Sequence, residues 1–414
     1  MNAYPLTDNL KALGEIFRRN GFSLFVVGGA VRDHLLGKTN DDVDLTTDAS
    51  PSDMLGMFPK CIPTGIRHGT LTIPFRMCHY ECTTFRIDGD YEDSRHPDSV
   101  DFTKDVHEDL KRRDFTINAM CADCVTGAIT DDFDGIGDMR RRIIRTVGNP
   151  MERFSEDALR LMRAVRFASR LDFDIDGETF EAMGKLAGTI TNISAERINS
   201  EFSKMLECDH AGKALDLLCE SGLLGFIMPE ISHLRDSRSR LLGKERMLSD
   251  NSIESARVEI RMALLLSDLS SETAANILKR LKFSNSEIRT VSLFVANKLS
   301  DRRYSCVELK RIARLIGRNL METYLGFNGI LLGGCRNFKD SESCIRSFTD
   351  ANEAIDLSDL CISGKDVMSM GLKGREVGAA LEMALEIAYD DPAINNDRNR
   401  FLASLESRIR HTSK

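Results

Sequence analysis

Hydrophobic and polar positions follow two different rules along this chain. Up to about residue 150, short runs rich in β-branched and aromatic residues alternate with helical stretches. FVVGG (25–29), VDLTT (43–47), GTLTIPF (69–75), YECTTFRI (80–87), INAMCAD (117–123) and AITDDF (128–133) read as strands. Beyond Pro150 the spacing turns helical. ALRLMRAVRFASRL (158–171) and AGKALDLLCESGLLGFI (211–227) repeat apolar residues three and four apart, and proline nearly vanishes. The pattern predicts an α+β chain, with a mixed α/β head followed by an all-helical remainder. Seams are expected near Gly148-Asn149-Pro150, Cys208–Gly212 and Gly333–Asp340, giving segments 1–150, 151–208, 209–335 and 336–414. No internal repeat or low-complexity segment is evident.

The 414 residues suffice for two to four compact units. No run of 18 apolar residues is present, and the N-terminus lacks a signal-peptide apolar core, so a cytoplasmic protein is expected. The eleven cysteines show no disulfide-like spacing and are expected to be reduced. Cys121-x-x-Cys124 reads as a pair of buried thiols, with a metal or redox site as the alternative. The net charge of −8 argues against indiscriminate nucleic-acid binding. Its distribution is uneven. Arg140, Arg141, Arg142, Arg145, Arg153, Arg160, Arg163, Arg166 and Arg170 face only Glu152, Glu156 and Asp157 within their own stretch, which suits a phosphate-rich ligand.

The densest candidate chemistry lies in FVVGGAVRDHLLGKTNDDVDLTTD (25–48). Gly28-Gly29, between a strand and a helix, lets backbone N–H groups approach an anion. Arg32 can add a charge-assisted phosphate contact. Asp42 and Asp44, two apart, face one way on a strand, and their repulsion calls for a cation between them. A Gly-Gly alone is usually a turn, and an Asp-x-Asp alone is usually solvated. Together they point to phosphoryl or nucleotidyl transfer with a hard divalent ion. Neither the Walker-type phosphate loop nor the dinucleotide fingerprint fits this glycine spacing.

GGAVRDHLLGKTNDDVDL resembles the first motif of the polymerase-β-like nucleotidyltransferases, in the branch of CCA-adding enzymes and bacterial poly(A) polymerases. RRDFTINAM (112–120), DDFDGIGDMRRRIIRTVGNP (131–150), EDALRLMRAVRFASRL (156–171) and ISAERINSEFSKML (193–206) are similar to further motifs in order. The likeness is weaker at GLLGFIMPEI (222–231), LKRLKFSN (278–285) and CISGKDVMSMGLKGREVGAAL (361–381), where Arg375 stands at a position often occupied by proline.

The resemblance implies a catalytic head (1–150), a base-recognising neck (151–208), a body (209–335) and a tRNA-binding tail (336–414). It implies Mg2+ on Asp42 and Asp44, with Glu81 as a third ligand or proton acceptor. It places Gly29, Arg32, Arg113 and Asp114 at the triphosphate and sugar, and Asp157, Arg160, Arg163 and Arg166 in the base pocket. Asp157 and Arg160, three apart, are read as one helix face. The carboxylate would accept from an exocyclic amine and the guanidinium would donate to a ring nitrogen, a pairing offered by C and A but not by U or G. The plain alternative is an intrahelical ion pair. The loop 90–100, with Asp93, Arg95 and Pro97, reads as a polar loop aiding a switch from CTP to ATP.

The implied activity is addition of C, C and A to the tRNA 3′ end from CTP and ATP, with no DNA or membrane partner. A poly(A) polymerase, a partial CC- or A-adding enzyme and an inactive RNA-binding protein are the competing readings. TGIRHGT (64–70) resembles the CCA type more than the polymerase type.

Overall fold

The computed structural model describes residues 3–39, 42–88, 100–236, 238–252 and 255–412. Two compact units divide the chain, Met1–Glu245 and Arg246–Lys414.

In the first unit, strands β1 (Leu24–Val27), β2 (Leu45–Thr47), β3 (Ile62–Gly65), β4 (Thr70–Phe75) and β5 (Cys78–Thr84) precede a two-stranded ribbon of β6 (Arg86–Asp88) and β7 (Val100–Phe102). Then come β8 (Met120–Asp123) and β9 (Ile129–Asp131). The main sheet has the order β3-β4-β5-β2-β1-β8-β9. All its pairings are antiparallel except β2–β5, where Leu45 is level with Cys82. Helices α1 (Asp8–Arg19), α2 (Gly29–Leu35), α3 (Pro51–Met57), α4 (Val106–Lys111) and α5 (Gly135–Arg141) belong to this head. The runs expected as strands therefore form strands, trimmed at their ends. INAM begins instead with a 3-10 turn, Thr116–Asn118.

The same unit continues as helices α6 (Pro150–Glu156), α7 (Leu159–Leu171), α8 (Gly177–Leu186), α9 (Ala195–Glu207), α10 (Ala211–Glu220) and α11 (Leu223–Ile227). A two-residue strand pair, Ile143–Ile144 with Asp174–Ile175, is a small exception to the helical expectation. Helix α7 is buried along most of its length because its apolar and alanine positions cover nearly every face. Phe167 on it meets Phe115 edge to face at 5.8 Å, which locks α7 to the segment carrying Arg112–Asp114. Gly222 (φ 80°) adopts the left-handed conformation that ends α10 and lets α11 start.

The second unit is helical. Phe294, Tyr324 and Phe327 form one aromatic cluster, and Val367, Ala384, Phe401 and Leu405 are the fully buried centre of another core. Ser284 with Glu287 and Ser305 with Glu308 form capping boxes that start two of its helices. One expectation fails here. Cys306 and Cys344 are joined in a disulfide, on the helices Cys306–Ile316 and Arg336–Asp350, with Cα atoms 6.3 Å apart. The partners are 38 residues apart and meet only through packing, so no local spacing announces them. Among the described residues no helix is long and apolar enough to cross a membrane.

Candidate active site

Asp42 and Asp44 immediately precede β2 rather than lying on it, so strand periodicity does not align them as expected. Their proximity comes from the sheet. The Asp44 carbonyl accepts from the Val27 N–H at 3.0 Å, anchoring it at the end of β1. Extending the β2–β5 register back by one residue sets Asp44 level with Glu81. Glu81 is exposed between the buried Tyr80 and Cys82, as strand alternation requires. The Asp44 side chain reaches solvent, yet its pKa is raised. Packing around it is the main cause, followed by the charges of Asp42 and Glu81, while Arg113 opposes them. Crowded carboxylates of this kind fit a divalent cation. Among the described residues no three metal-ligating side chains converge closely enough to hold an ion alone.

Gly28 (φ 65°) turns the chain from β1 into α2, and its N–H donates to the Met120 carbonyl at 3.2 Å. The positive φ favours glycine here, and a Cβ at this position would also sit 3.3 Å from Arg113 Nη1, so the guanidinium packs close to this turn. Gly29 opens α2. Arg32 is only 3% exposed. Its Nε donates to Asp33 (2.8 Å), its Nη1 donates to Asn118 (2.6 Å), and its guanidinium lies over the Phe167 ring. Burial lowers its pKa despite the Asp33 charge. Here Arg32 braces the head through protein partners.

Asp114 is buried and fully engaged. Oδ1 accepts from the Phe115 N–H (2.8 Å) and Asn118 Nδ2 (3.2 Å), and Oδ2 accepts from Arg163 Nε (2.7 Å) and Nη2. Burial would raise its pKa, but the Arg163 charge and hydrogen bonds hold it down at about 2. A ribose hydroxyl would have to compete with Arg163 for this carboxylate.

The largest departure from the sequence expectation is at Asp157. The helical spacing of residues 156–171 runs straight through it, yet Asp157 is extended (φ −142°, ψ 103°) and separates α6 from α7. Its Oδ1 accepts from the Leu159 N–H at 3.0 Å, an Asx turn that starts the second helix. Its Oδ2 accepts from Arg197 Nη2 at 2.8 Å. The intrahelical pair with Arg160 does not form. Arg160 donates to the Arg153 carbonyl (2.9 Å), Glu156 and the Arg112 carbonyl (3.1 Å).

These residues nonetheless share one polar pocket of about 270 Å³, lined by Arg113, Asp114, Asp157, Arg160, Arg163 and Arg197 among others. Arg113 Nε and Arg197 Nη1 are buried there without an acceptor among the described residues. Such orphaned donors fit a ligand rich in acceptors. Arg166 lies behind the pocket, nearly buried and paired with Glu201. Arg197 and Glu201 escaped the sequence reading of roles, although both lie in the 193–206 motif. Their partners are 40 and 35 residues away.

Part of the arginine block is already neutralised. Arg141 and Arg145 bind Asp138 at 2.8 and 2.6 Å, and Arg142 binds Asp172 at 2.7 Å, both carboxylates outside the stretch 140–170. Cys121 and Cys124 are buried thiols whose pKa values burial pushes up, to about 12 for Cys121. Of the loop 90–100, all but Val100 lies outside the described residues.

The arrangement has close counterparts. The family model for the poly A polymerase head domain matches residues 24–145, and that for the probable RNA and SrmB-binding site of polymerase A matches residues 172–234. The CCA-adding enzyme of Lactococcus lactis is 38% identical over 379 residues, covering 89% of each chain. This chain belongs to the CCA-adding enzyme family. The family's Geobacillus stearothermophilus enzyme is 48% identical over 219 residues, but that match spans only about half of either chain, 52% of this one and 54% of the relative. The Bacillus stearothermophilus CCA-adding enzyme in complex with CTP shares the fold with a TM-score of 0.81 and 31% identity, over 98% of both chains.

Proposed function

We propose that this chain adds C, C and A to the 3′ end of tRNA from CTP and ATP, without a nucleic-acid template. The tRNA 3′-oxygen bonds to the α-phosphorus, the bond to the β-phosphate bridge breaks, and pyrophosphate leaves. The observation that carries the reading is the shared pocket. Asp157 keeps an acceptor position on each oxygen beyond its Leu159 and Arg197 bonds. Arg160 uses three of about five N–H donors on Arg153, Glu156 and Arg112, which leaves two for a ring nitrogen. The pair can thus accept from the amine of C or A and donate beside it.

Gly28-Gly29 and Arg113 flank the space where the triphosphate would lie. Asp42 and Asp44 would hold Mg2+, with phosphate oxygens completing the ligand set. When bound, the ion neutralises phosphate charge and acidifies the 3′-hydroxyl. Glu81 is the nearby carboxylate able to take that proton or join the ligands. Arg32, Asp114 and Arg163 act mainly by holding the pocket wall to the head, and Arg166 ties that wall to α9 through Glu201. We assign residues 1–150 to the catalytic head, 151–208 to the neck, 209–335 to the body and 336–414 to a tail that grips the tRNA acceptor arm through backbone charge and shape. A cytoplasmic location suits such a substrate.

The test is product length. tRNA ending at the discriminator base should grow by three nucleotides with CTP and ATP, and by two with CTP alone. Long A-tails would mean a poly(A) polymerase. Growth by two with both nucleotides, or by A alone on a CC end, would mean a partial enzyme.

A further inference from the structure

Asp109, on α4, is 0% exposed and lies outside every motif singled out above. Its Oδ1 accepts from Arg112 Nε (2.9 Å) and Nη2 (2.8 Å), and from the Arg86 N–H at 3.4 Å. Its Oδ2 accepts from Arg113 Nη2 at 3.2 Å. An interior carboxylate is costly, and these two guanidiniums hold its pKa down and keep it ionised. The two arginines it grips lead in different directions. Arg113 Nη1 packs against Gly28. The Arg112 carbonyl receives Arg160 Nη2 at 3.1 Å.

We infer that Asp109 is a positioning residue for the nucleotide's phosphates, acting through Arg113. This rests on the reading of Gly28-Gly29, Arg113 and the carboxylates as the triphosphate side of the site. The carboxylate fixes one edge of the guanidinium while the other packs close to Gly28, so Arg113 is held in place before any nucleotide arrives. Pre-set charge of this kind lowers the reorganisation needed to bind phosphate.

Asp109→Asn is the sharp perturbation because it keeps shape and changes one acceptor into a donor. Three donors already face Oδ1, so the amide oxygen stays there. The amide N–H then confronts Arg113 and displaces it. The full-length variant is assayed on tRNA with CTP and ATP, and with inorganic pyrophosphate as inhibitor. We expect KM for CTP and for ATP to rise together, by about tenfold, as for loss of a charge-assisted contact. The pyrophosphate inhibition constant should rise by a similar factor, because pyrophosphate has no base. The preference for CTP over UTP should stay unchanged.

A purely structural role would lower the active fraction, and so kcat, while leaving KM and pyrophosphate inhibition at wild-type values. That result overturns the inference. If Asp109→Asn does not fold, Asp109→Ser, which retains a hydroxyl acceptor and leaves room for water, is read in the same way. Arg113→Lys must also weaken pyrophosphate inhibition, and an unchanged constant overturns the inference whatever Asp109 variants do. Failure of the wild-type chain to extend tRNA at all would instead sink the parent reading.

Discussion

Asp114→Asn isolates the ion pair that ties the head to helix α7. The wild-type carboxylate is held at a pKa of about 2 against an ordinary 3.8. A shift of that size corresponds to roughly 2.5 kcal/mol of stability at neutral pH. Removing one partner of a fully buried pair costs about 3–5 kcal/mol, but Arg163 is partly exposed and has Glu201 at 3.9 Å, so the lower figure applies. The sign follows from the depressed pKa. The contribution is complete well above the unfolded value of 3.8 and disappears as pH falls through the folded value near 2. Urea unfolding followed by circular dichroism should therefore show Asp114→Asn about 2–3 kcal/mol less stable than wild type at pH 7. The gap should begin to narrow below pH of about 5. A gap under about 0.5 kcal/mol at pH 7, a surface-pair value, would refute the reasoning. So would a gap that stays constant down to pH of about 3.5.

Asp42→Ala should abolish nucleotide incorporation while a gel-shift measurement of tRNA affinity stays within about twofold of wild type, since the carboxylate serves the chemistry rather than tRNA docking. Arg160→Ala should reduce the preference for CTP over UTP by roughly 5- to 150-fold, the equivalent of about 1–3 kcal/mol. Unchanged discrimination in competition assays would reject the base-reading role. Asp44→Asn should raise the melting temperature of the metal-free protein at pH 7, because its raised pKa marks a charge that folding disfavours. A fall in that temperature would contradict the crowding of the three carboxylates.

Local patterns in the chain revealed what is decided locally. The β-branched runs and the Gly28-Gly29 turn marked the sheet and the start of α2, because conformational preference and alternation act over a few residues. The helix break at Asp157 is hidden because its apolar neighbours keep helical spacing on both sides. The available signal was an aspartate two residues before Leu159, a helix-starting residue type at a helix start. The arginine block looks unopposed within its own stretch, whereas Asp134, Asp138 and Asp172 reach it through the fold. Arg197 on Asp157 and Cys306 on Cys344 are contacts between distant segments, which no short window can contain. Asp109 is silent for the opposite reason: an acidic residue in the charged run Glu108–Arg113 looks like any surface charge until its burial is known.

The base-reading pocket beside the carboxylates is the centre of this account, and a crystal soaked with CTP and magnesium tests it directly. The account predicts the cytosine edge against Asp157 and Arg160, with the phosphates between Gly28-Gly29, Arg113 and the ion held by Asp42 and Asp44. A nucleotide bound elsewhere, or with its base turned away from Asp157 and Arg160, would contradict it.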